Sequence, residues 1–234
     1  MKKIATFHSS LTAKFGTPRQ AGVVPDVRGR IVFEKTYRSP DAVRGMEGFD
    51  YLWLIWGFSA NKVPSITPSK LTVRPPRLGG NERIGVFASR SPYRPNPIGL
   101  SSVRIERIDY DCDDAPVIHV LGADLIDGTP VYDIKPYIPY TDAHPDARSG
   151  FVNEKHWSKL NVEVSEEAEQ TLNKSEFSTL KAQFHICREL LAEDPRPHYH
   201  NSPSRIYNME YDGFDVAFRV NGTTLTIIRI KKLI

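Results

Sequence analysis

Val73–Ser101 reads VRPPRLGGNERIGVFASRSPYRPNPIGLS, and no regular helix or run of sheet accounts for it. Arg74, Arg77, Arg83, Arg90 and Arg94 are interleaved with Gly79, Gly80, Gly85 and Gly99, and with Pro75, Pro76, Pro92, Pro95 and Pro97. Glycine lets the backbone approach another group closely, while proline fixes φ and cannot donate to a sheet ladder. The stretch predicts a rigid, cationic loop system at the mouth of a site. The alternative is a solvated connection between strands.

Outward from this loop system the pattern is that of short strands. Tyr51–Phe58 (YLWLIWGF) is continuously apolar and bounded by Asp50 and Ser59, which predicts a buried strand. Ser102–Ile108 places Val103 and Ile105 on one face and Arg104 and Glu106 on the other. A turn-rich loop over Asp109–Pro116 leads to a strand at Val117–Leu121, and Val131–Ile134 follows the Asp127-Gly128 turn. Short strands without intervening helices argue for an antiparallel barrel or sandwich over a parallel βαβ sheet. No G-x-G-x-x-G follows a strand, so a doubly wound nucleotide fold has no support.

Beyond about residue 145 the periodicity changes. Phe177, Leu180, Phe184, Cys187 and Leu191 form an apolar stripe at helical spacing, stopped at Asp194-Pro195. The end reads as a three-stranded meander with turns at Asp212-Gly213 and Asn221-Gly222. The expected division is a mainly β domain over 1–145 and a smaller α+β domain over 146–234.

A net charge of +3 hides an asymmetry. Lys70–Arg107 holds eight Lys or Arg against two acids, whereas Asp109–Gln170 holds fourteen acids against four Lys or Arg. Such a localised basic strip suits a phosphate-bearing partner; the alternative is a set of surface salt bridges with the acidic half. No apolar run approaches the roughly 20 residues of a membrane span, and MKKIATFHSS lacks the apolar core of a signal peptide. Cys112 and Cys187 stand apart without metal-ligand spacing. A reducing cytoplasmic location and no structural zinc follow.

The order Arg90-Ser91-Pro92-x-Arg94-Pro95-Asn96-Pro97-Ile98-Gly99 resembles the signature of the TsaA/TrmO family of β-barrel, S-adenosylmethionine (SAM)-dependent tRNA methyltransferases. Val73–Gly80 (VRPPRLGG) and Leu125–Tyr137 (LIDGTPVYDIKPY) agree in order and spacing, and the resemblance runs from about Pro18 to Tyr140. Leu191–Tyr199 (LAEDPRPHY) resembles the C-terminal extension of bacterial members. The resemblance implies an antiparallel β-barrel SAM-binding domain followed by the α+β domain, and a homodimer. The implied reaction is methyl transfer from SAM to N6 of N6-threonylcarbamoyladenosine beside the tRNA anticodon. Two other readings stay open. One is a SAM-dependent methyltransferase for another adenosine or a small molecule. The other is a non-enzymatic RNA-binding barrel.

By the same resemblance, Pro18, Arg19 and Gln20 match an early cofactor-contacting PRQ motif. Arg90 and Leu100 match binding positions that flank RPNPIG, and Asp127, Gly128, Thr129 and Pro130 match a cofactor-lining DGTP turn. Ser59 and Ala60 stand where many relatives carry a histidine after phenylalanine, which leaves a backbone contact there. SAM needs groups for its adenosine, its sulfonium and its amino-acid end, and an arginine suits the carboxylate of the last. N6 of the substrate is a poor nucleophile, so alignment must supply much of the rate, with a base to take its proton. Asp133 is the candidate base or nitrogen orienter, expected to face the same pocket as Asp127. Lys135 is the candidate carboxylate or phosphate contact and Tyr137 the stacking surface. The alternative is a strand end with an Asp133–Lys135 ion pair. Arg74, Arg77, Arg94 and Arg196 are the candidate RNA contacts, with Tyr93, Tyr137 and Tyr199 beside them. His198-Tyr199-His200 has no third ligand at suitable spacing, so no metal is expected.

Overall fold

The computed structural model describes residues 1–60, 71–75, 82–152, 158–197, 200 and 202–233. Arg77, His198 and Tyr199 lie outside the described residues. The strands of the first part are β1 (Ala5–Ser9), β2 (Arg28–Phe33), β3 (Tyr51–Gly57), the short pair β4 (Thr72–Val73) and β5 (Ile84–Gly85), β6 (Ile98–Asp109), β7 (Val117–Leu121) and β8 (Thr129–Pro136). Six of them close into an antiparallel barrel in the order β1-β2-β7-β6-β3-β8. The cationic loop system, with β4 and β5 in it, is the excursion between β3 and β6.

Alternation decides what fills the barrel. Phe7, Ile31, Leu52, Leu54, Val103, Ile118, Val120 and Val131 point inward and are buried. The apolar run at β3 is buried on one face only, which corrects the expectation of a strand covered on both. Leu52, Leu54 and Trp56 enter the core, whereas Tyr51 is exposed and Trp53 and Ile55 are half-buried on the outer wall. Tyr137 and Asp142 cover part of that wall: Tyr137 packs against Tyr51 and Trp53, and the Trp53 indole donates to Asp142 at 2.8 Å. Period-2 alternation is invisible when both faces of a strand are apolar.

Two bulges re-aim side chains. In β8 the pairing steps from Ile55–Asp133 to Trp56–Val131, leaving Tyr132 extra. In β6 it steps from Ile105–Val120 to Arg107–His119, leaving Glu106 extra. A bulge turns the residues beyond it to the other face.

After the short α1 (Pro139–Asp142) the C-terminal part comprises β9 (Asn161–Val164), α2 (Glu166–Leu172), α3 (Ser178–Ala192), β10 (Tyr207–Tyr211), β11 (Phe214–Asn221) and β12 (Thr224–Lys232). The expected meander is there, but the sheet has a fourth member. Its order is β10-β11-β12-β9, with β9 parallel to β12. Asn161–Val164 alternates polar and apolar, but four residues give too short a signal to read. Ser165 caps α2 by accepting from the Ala168 amide, and three glutamates in the first turn complement the helix dipole. In α3, Leu180, Cys187 and Leu191 of the predicted stripe are buried with Ile186 and Leu190, while Phe184 is partly covered. Burial pushes the Cys187 thiol up to about 12, which keeps it protonated and inert.

The core of this C-terminal part is not made by its own residues alone. Leu11, Val24 and Val27, from the segment between β1 and β2, are buried in the same cluster as Leu190, Tyr207 and Phe218. That segment carries Pro18–Gln20.

Candidate active site

The positions proposed for cofactor contact converge on one end of the barrel. This is the end where β1 and β3 finish and β2, β6 and β8 begin. Ser59 and Ala60 leave β3 there, exposed, and the Phe58 amide donates to the Pro97 carbonyl of the RPNPIG loop at 3.0 Å. Asp127 and Gly128 form the turn into β8, with Gly128 at φ 76°. The Asp127 carboxylate accepts from the Ser9 amide at 3.1 Å and lies 3.0 Å from His8 Nδ1, which pins the turn to the end of β1. Thr129 is buried and its hydroxyl donates to the Ile126 carbonyl. Pro130 and Leu100 stand on the outer side of the rim, Leu100 being 56% exposed.

Inside the rim is a polar niche that sequence reasoning missed. Trp56 Nε1 donates to Ser101 Oγ at 3.0 Å, and Ser101 Oγ donates to Asp124 Oδ1 at 2.6 Å. Ser101 is almost fully buried, while Asp124 retains partial access. Burial raises the Asp124 carboxyl above its ordinary value; the Ser101 hydroxyl, backbone amides including that of Ala21, and the charge of Arg90 oppose the shift. Arg90 in turn donates to the Gln20 side chain, and Gln20 Nε2 donates to the Arg19 carbonyl at 2.7 Å. Phe58 meets Trp56 edge-on, with centroids 4.4 Å apart. The niche thus combines a guanidinium and a carboxamide, which donate, with a partly accessible carboxylate, which accepts, and an aromatic ring. Asp124 lies three residues before the DGTP turn, and its burial was the signal that only the fold supplies.

Pro18 is buried and Arg19 donates to the Asp194 carbonyl at 3.4 Å, so the PRQ segment leans on the end of α3. A crevice runs between the two, lined by Gly16, Pro18, Arg19, Leu190, Asp194 and Pro195.

The other expected residues are placed elsewhere. Asp133 lies beyond the Tyr132 bulge, on the outer wall opposite Ile55, and it pairs with Lys135 at 3.1 Å. It does not share a pocket with Asp127, which is fixed at the turn. It belongs instead to the outer row Leu100–Ile55–Asp133. Lys135 occupies the next outward position, opposite Trp53. Arg74 is exposed in the loop after β4. Arg94 braces its own loop by donating to the Ser89 carbonyl at 3.1 Å.

Arg196 is a correction. Its guanidinium makes a two-pronged contact with Asp194 at 2.8 and 2.9 Å and is only 12% exposed, so it stabilises the loop after α3 and is not presented to RNA. Arg196→Ala is expected to lower stability by about 2 kcal/mol, roughly 4–8 °C in Tm, by leaving the Asp194 carboxylate with only the backbone amide of residue 196. Thermal melts and RNA titration separate the roles: unchanged Tm with weakened RNA binding would reinstate the contact.

A closed antiparallel barrel with a polar, arginine-bearing niche at one end defines a class distinct from the doubly wound nucleotide folds. Known proteins agree. A family model described as the tRNA-methyltransferase O N-terminal domain matches residues 6–143, and one described as the TrmO C-terminal domain matches residues 158–233. The tRNA (adenine(37)-N6)-methyltransferase of Escherichia coli (strain K12) is 38% identical over 233 residues, covering 98% of this chain and 97% of that protein. Its counterpart from Eikenella corrodens is 40% identical over 178 residues, covering 74% and 91%. The crystal structure of TrmO from Pseudomonas aeruginosa superposes with a TM-score of 0.77 at 29% identity, covering 98% of this chain and 96% of that one. The chain belongs to the tRNA-methyltransferase O family.

Proposed function

We propose that this protein methylates N6 of the adenosine at position 37 of tRNA, next to the anticodon, using SAM, and that its substrate is the threonylcarbamoyl form of that adenosine. The observation that carries this reading is the niche of Gln20, Arg90 and Asp124 inside the barrel end that also holds Ser59, Leu100 and the DGTP turn, in a chain of this family.

When bound, SAM supplies an electrophilic methyl group. Arg90 and Gln20 would hold its carboxylate, and Asp124 would accept hydrogen bonds from its ammonium and complement its positive charge. Thr129, Pro130 and the backbone at Ser59, Ala60 and Gly128 would line the rim around the adenosine. The substrate nitrogen must give up a proton, and Asp133 is the proposed acceptor, reached along the outer row from Leu100, with Lys135 holding it in place. Asp133→Asn should cut turnover with little effect on SAM affinity; unchanged turnover would remove it from the mechanism. Arg74, Arg77 and Arg94 are proposed to contact the RNA near the loop system, with Tyr137 as a stacking surface.

The molecule is further proposed to act in the cytoplasm and as a homodimer. The part of the outer wall away from Leu100 supports the second point, because it exposes Tyr51 beside half-buried Trp53. The division at residue 145, with the cofactor site in the first unit, is part of the same reading. Among the described residues no helix is long and apolar enough to cross a membrane.

The decisive experiment incubates labelled SAM with tRNA from cells that lack this gene and analyses the nucleosides by mass spectrometry. Label at the mass of N6-methylated threonylcarbamoyladenosine is the expected outcome. Label on another nucleoside would redirect the substrate assignment. Absence of thermal stabilisation by SAM would favour an RNA-binding barrel without cofactor.

A further inference from the structure

The outer wall on the other side of the barrel carries an ordered set of arginines that the sequence does not display as a motif. Ile118 and Val120 of β7 enter the core, so His119 and Leu121 point away from it; Leu121 is buried there, in a crevice that Arg28 shares with Gln183 and Ile186 of α3, whereas His119 lies on the open part of the wall. The register then places Arg28, Leu121 and Arg104 in one cross-strand row and Arg30, His119 and Arg107 in the next. The bulge at Glu106 brings Arg107 to this face. Arg28 and Arg107 have side chains 64% and 55% exposed, and Arg30 and Arg104 are exposed as well.

The counter-charges do not balance them. Glu106 serves two arginines, Arg28 at 3.6 Å and Arg107 at 3.3 Å. Asp109 lies 4.0 Å from His119. Among the described residues, Arg30 and Arg104 form no ion pair with an acidic side chain. Burial, and next the charge of Arg107, hold His119 below the usual histidine range, so its Nε2 accepts from Arg107 at 3.3 Å and the ring adds no charge of its own. Four guanidinium groups therefore face the carboxylates of Glu106 and Asp109, with Asp26 in the crevice beside Arg28, and the guanidinium groups remain in excess. By contrast, the outward positions of β3 are Tyr51, Trp53 and Ile55, so the concentration is particular to β2, β7 and β6.

Because these arginines rise from paired strands and not from loops, their spacing is fixed. Residues two apart on one strand stand about 7 Å apart, and alternate strands about 10 Å. That is a rigid cationic grid at the scale of neighbouring phosphates, and guanidinium forks match phosphate oxygens. We propose that the outer wall of β2, β7 and β6 is a second RNA-contact surface, which holds the phosphate backbone of the tRNA away from the nucleoside that reacts. The proposal rests on the tRNA reading of the function, and it assigns to Arg28, Arg30, Arg104 and Arg107 a positioning role toward the RNA.

The double variant Arg30→Ala/Arg104→Ala leaves the Glu106 contacts intact, so the wall should fold normally, as a thermal melt checks. Its affinity for tRNA should fall roughly ten-fold, and the slope of log K against log salt should flatten by about 1.5, the change expected for two lost phosphate contacts. SAM affinity measured without RNA should be unchanged. Arg44→Ala, which removes an exposed arginine paired with Asp41 on a different loop, serves as the control and should leave tRNA affinity alone. If wild-type protein binds tRNA and the double variant binds it equally well with the same salt slope, this surface is not an RNA contact, as it also would not be if it served an acidic protein instead. If wild-type protein fails to bind tRNA at all, the functional reading falls and this proposal with it.

Discussion

Asp124→Asn is expected to raise the KM for SAM ten-fold or more while leaving the protein at least as heat-stable as the wild type at pH 8. The two effects have one cause. Burial holds the Asp124 carboxyl above its ordinary value, so the folded protein takes up this proton more readily than the unfolded chain. Stability from this group is complete below the unfolded value of about 4 and is lost as pH rises through the folded value. At pH 8 the wild type carries a desolvated carboxylate that Asn lacks, and near pH 3 the difference disappears. The Asn carboxamide still accepts from Ser101, so the niche keeps its shape while its charge is gone. Calorimetric titration with SAM and melts at both pH values test it. Wild-type SAM affinity in the variant would exclude Asp124 from the site. A variant less stable at pH 8 than the wild type would mean that Arg90 and the amides outweigh the desolvation.

Gly99→Ala is expected to destabilise the barrel end by about 3 kcal/mol, roughly 6–12 °C in Tm, and to weaken SAM binding with it. A Cβ at Gly99 would overlap the Trp56 indole, which lies directly across the strand pair. The indole cannot swing away cheaply, because its Nε1 donates to Ser101 and its ring packs on Phe58. Gly128→Ala is the matched comparison. Gly128 has a φ of 76° that glycine adopts freely and alanine does not, but a Cβ there meets nothing within 4 Å, so only about 1 kcal/mol of stability is lost to conformational strain. A Gly99→Ala protein that melts with the wild type would show that the indole relaxes without penalty, and would weaken the case for a rigid relay to Asp124.

Gly99 also shows how far sequence reasoning reached. The RPNPIG glycine predicts close approach of another group to the backbone, and in the structure that group is an indole. The barrel was legible because Ser102–Ile108 alternates, Val117–Leu121 is a short apolar run behind a turn-rich loop, and DGTP carries turn chemistry. The two bulges were not, since an unpaired Tyr132 or Glu106 differs from its neighbours only through a partner strand distant in sequence. Asp133 was misplaced for that reason. Arg196 was misread because a two-residue contact with Asp194 depends on the fold of the loop, and DPRP alone does not display it. Asp124 went unnoticed because a carboxylate in an acidic stretch looks solvated until the barrel closes over it. Arg28, Arg30, Arg104 and Arg107 fall on two strands separated by some seventy residues of chain, and only the pairing through β7 aligns them.

The segment between β1 and β2 starts and ends in the barrel but is buried through Leu11, Val24 and Val27 in the core beneath α3 and the second sheet. It carries Gln20 to Arg90 on one side and rests Pro18 and Arg19 against the Leu190–Pro195 stretch on the other. The rear crevice is thus a lever on the front pocket. A compound wedged between Pro18 and Pro195 would pull the cofactor loop out of register without touching the cofactor. SAM would oppose its binding by the same factor, so raising the SAM concentration would relieve such an inhibitor in part.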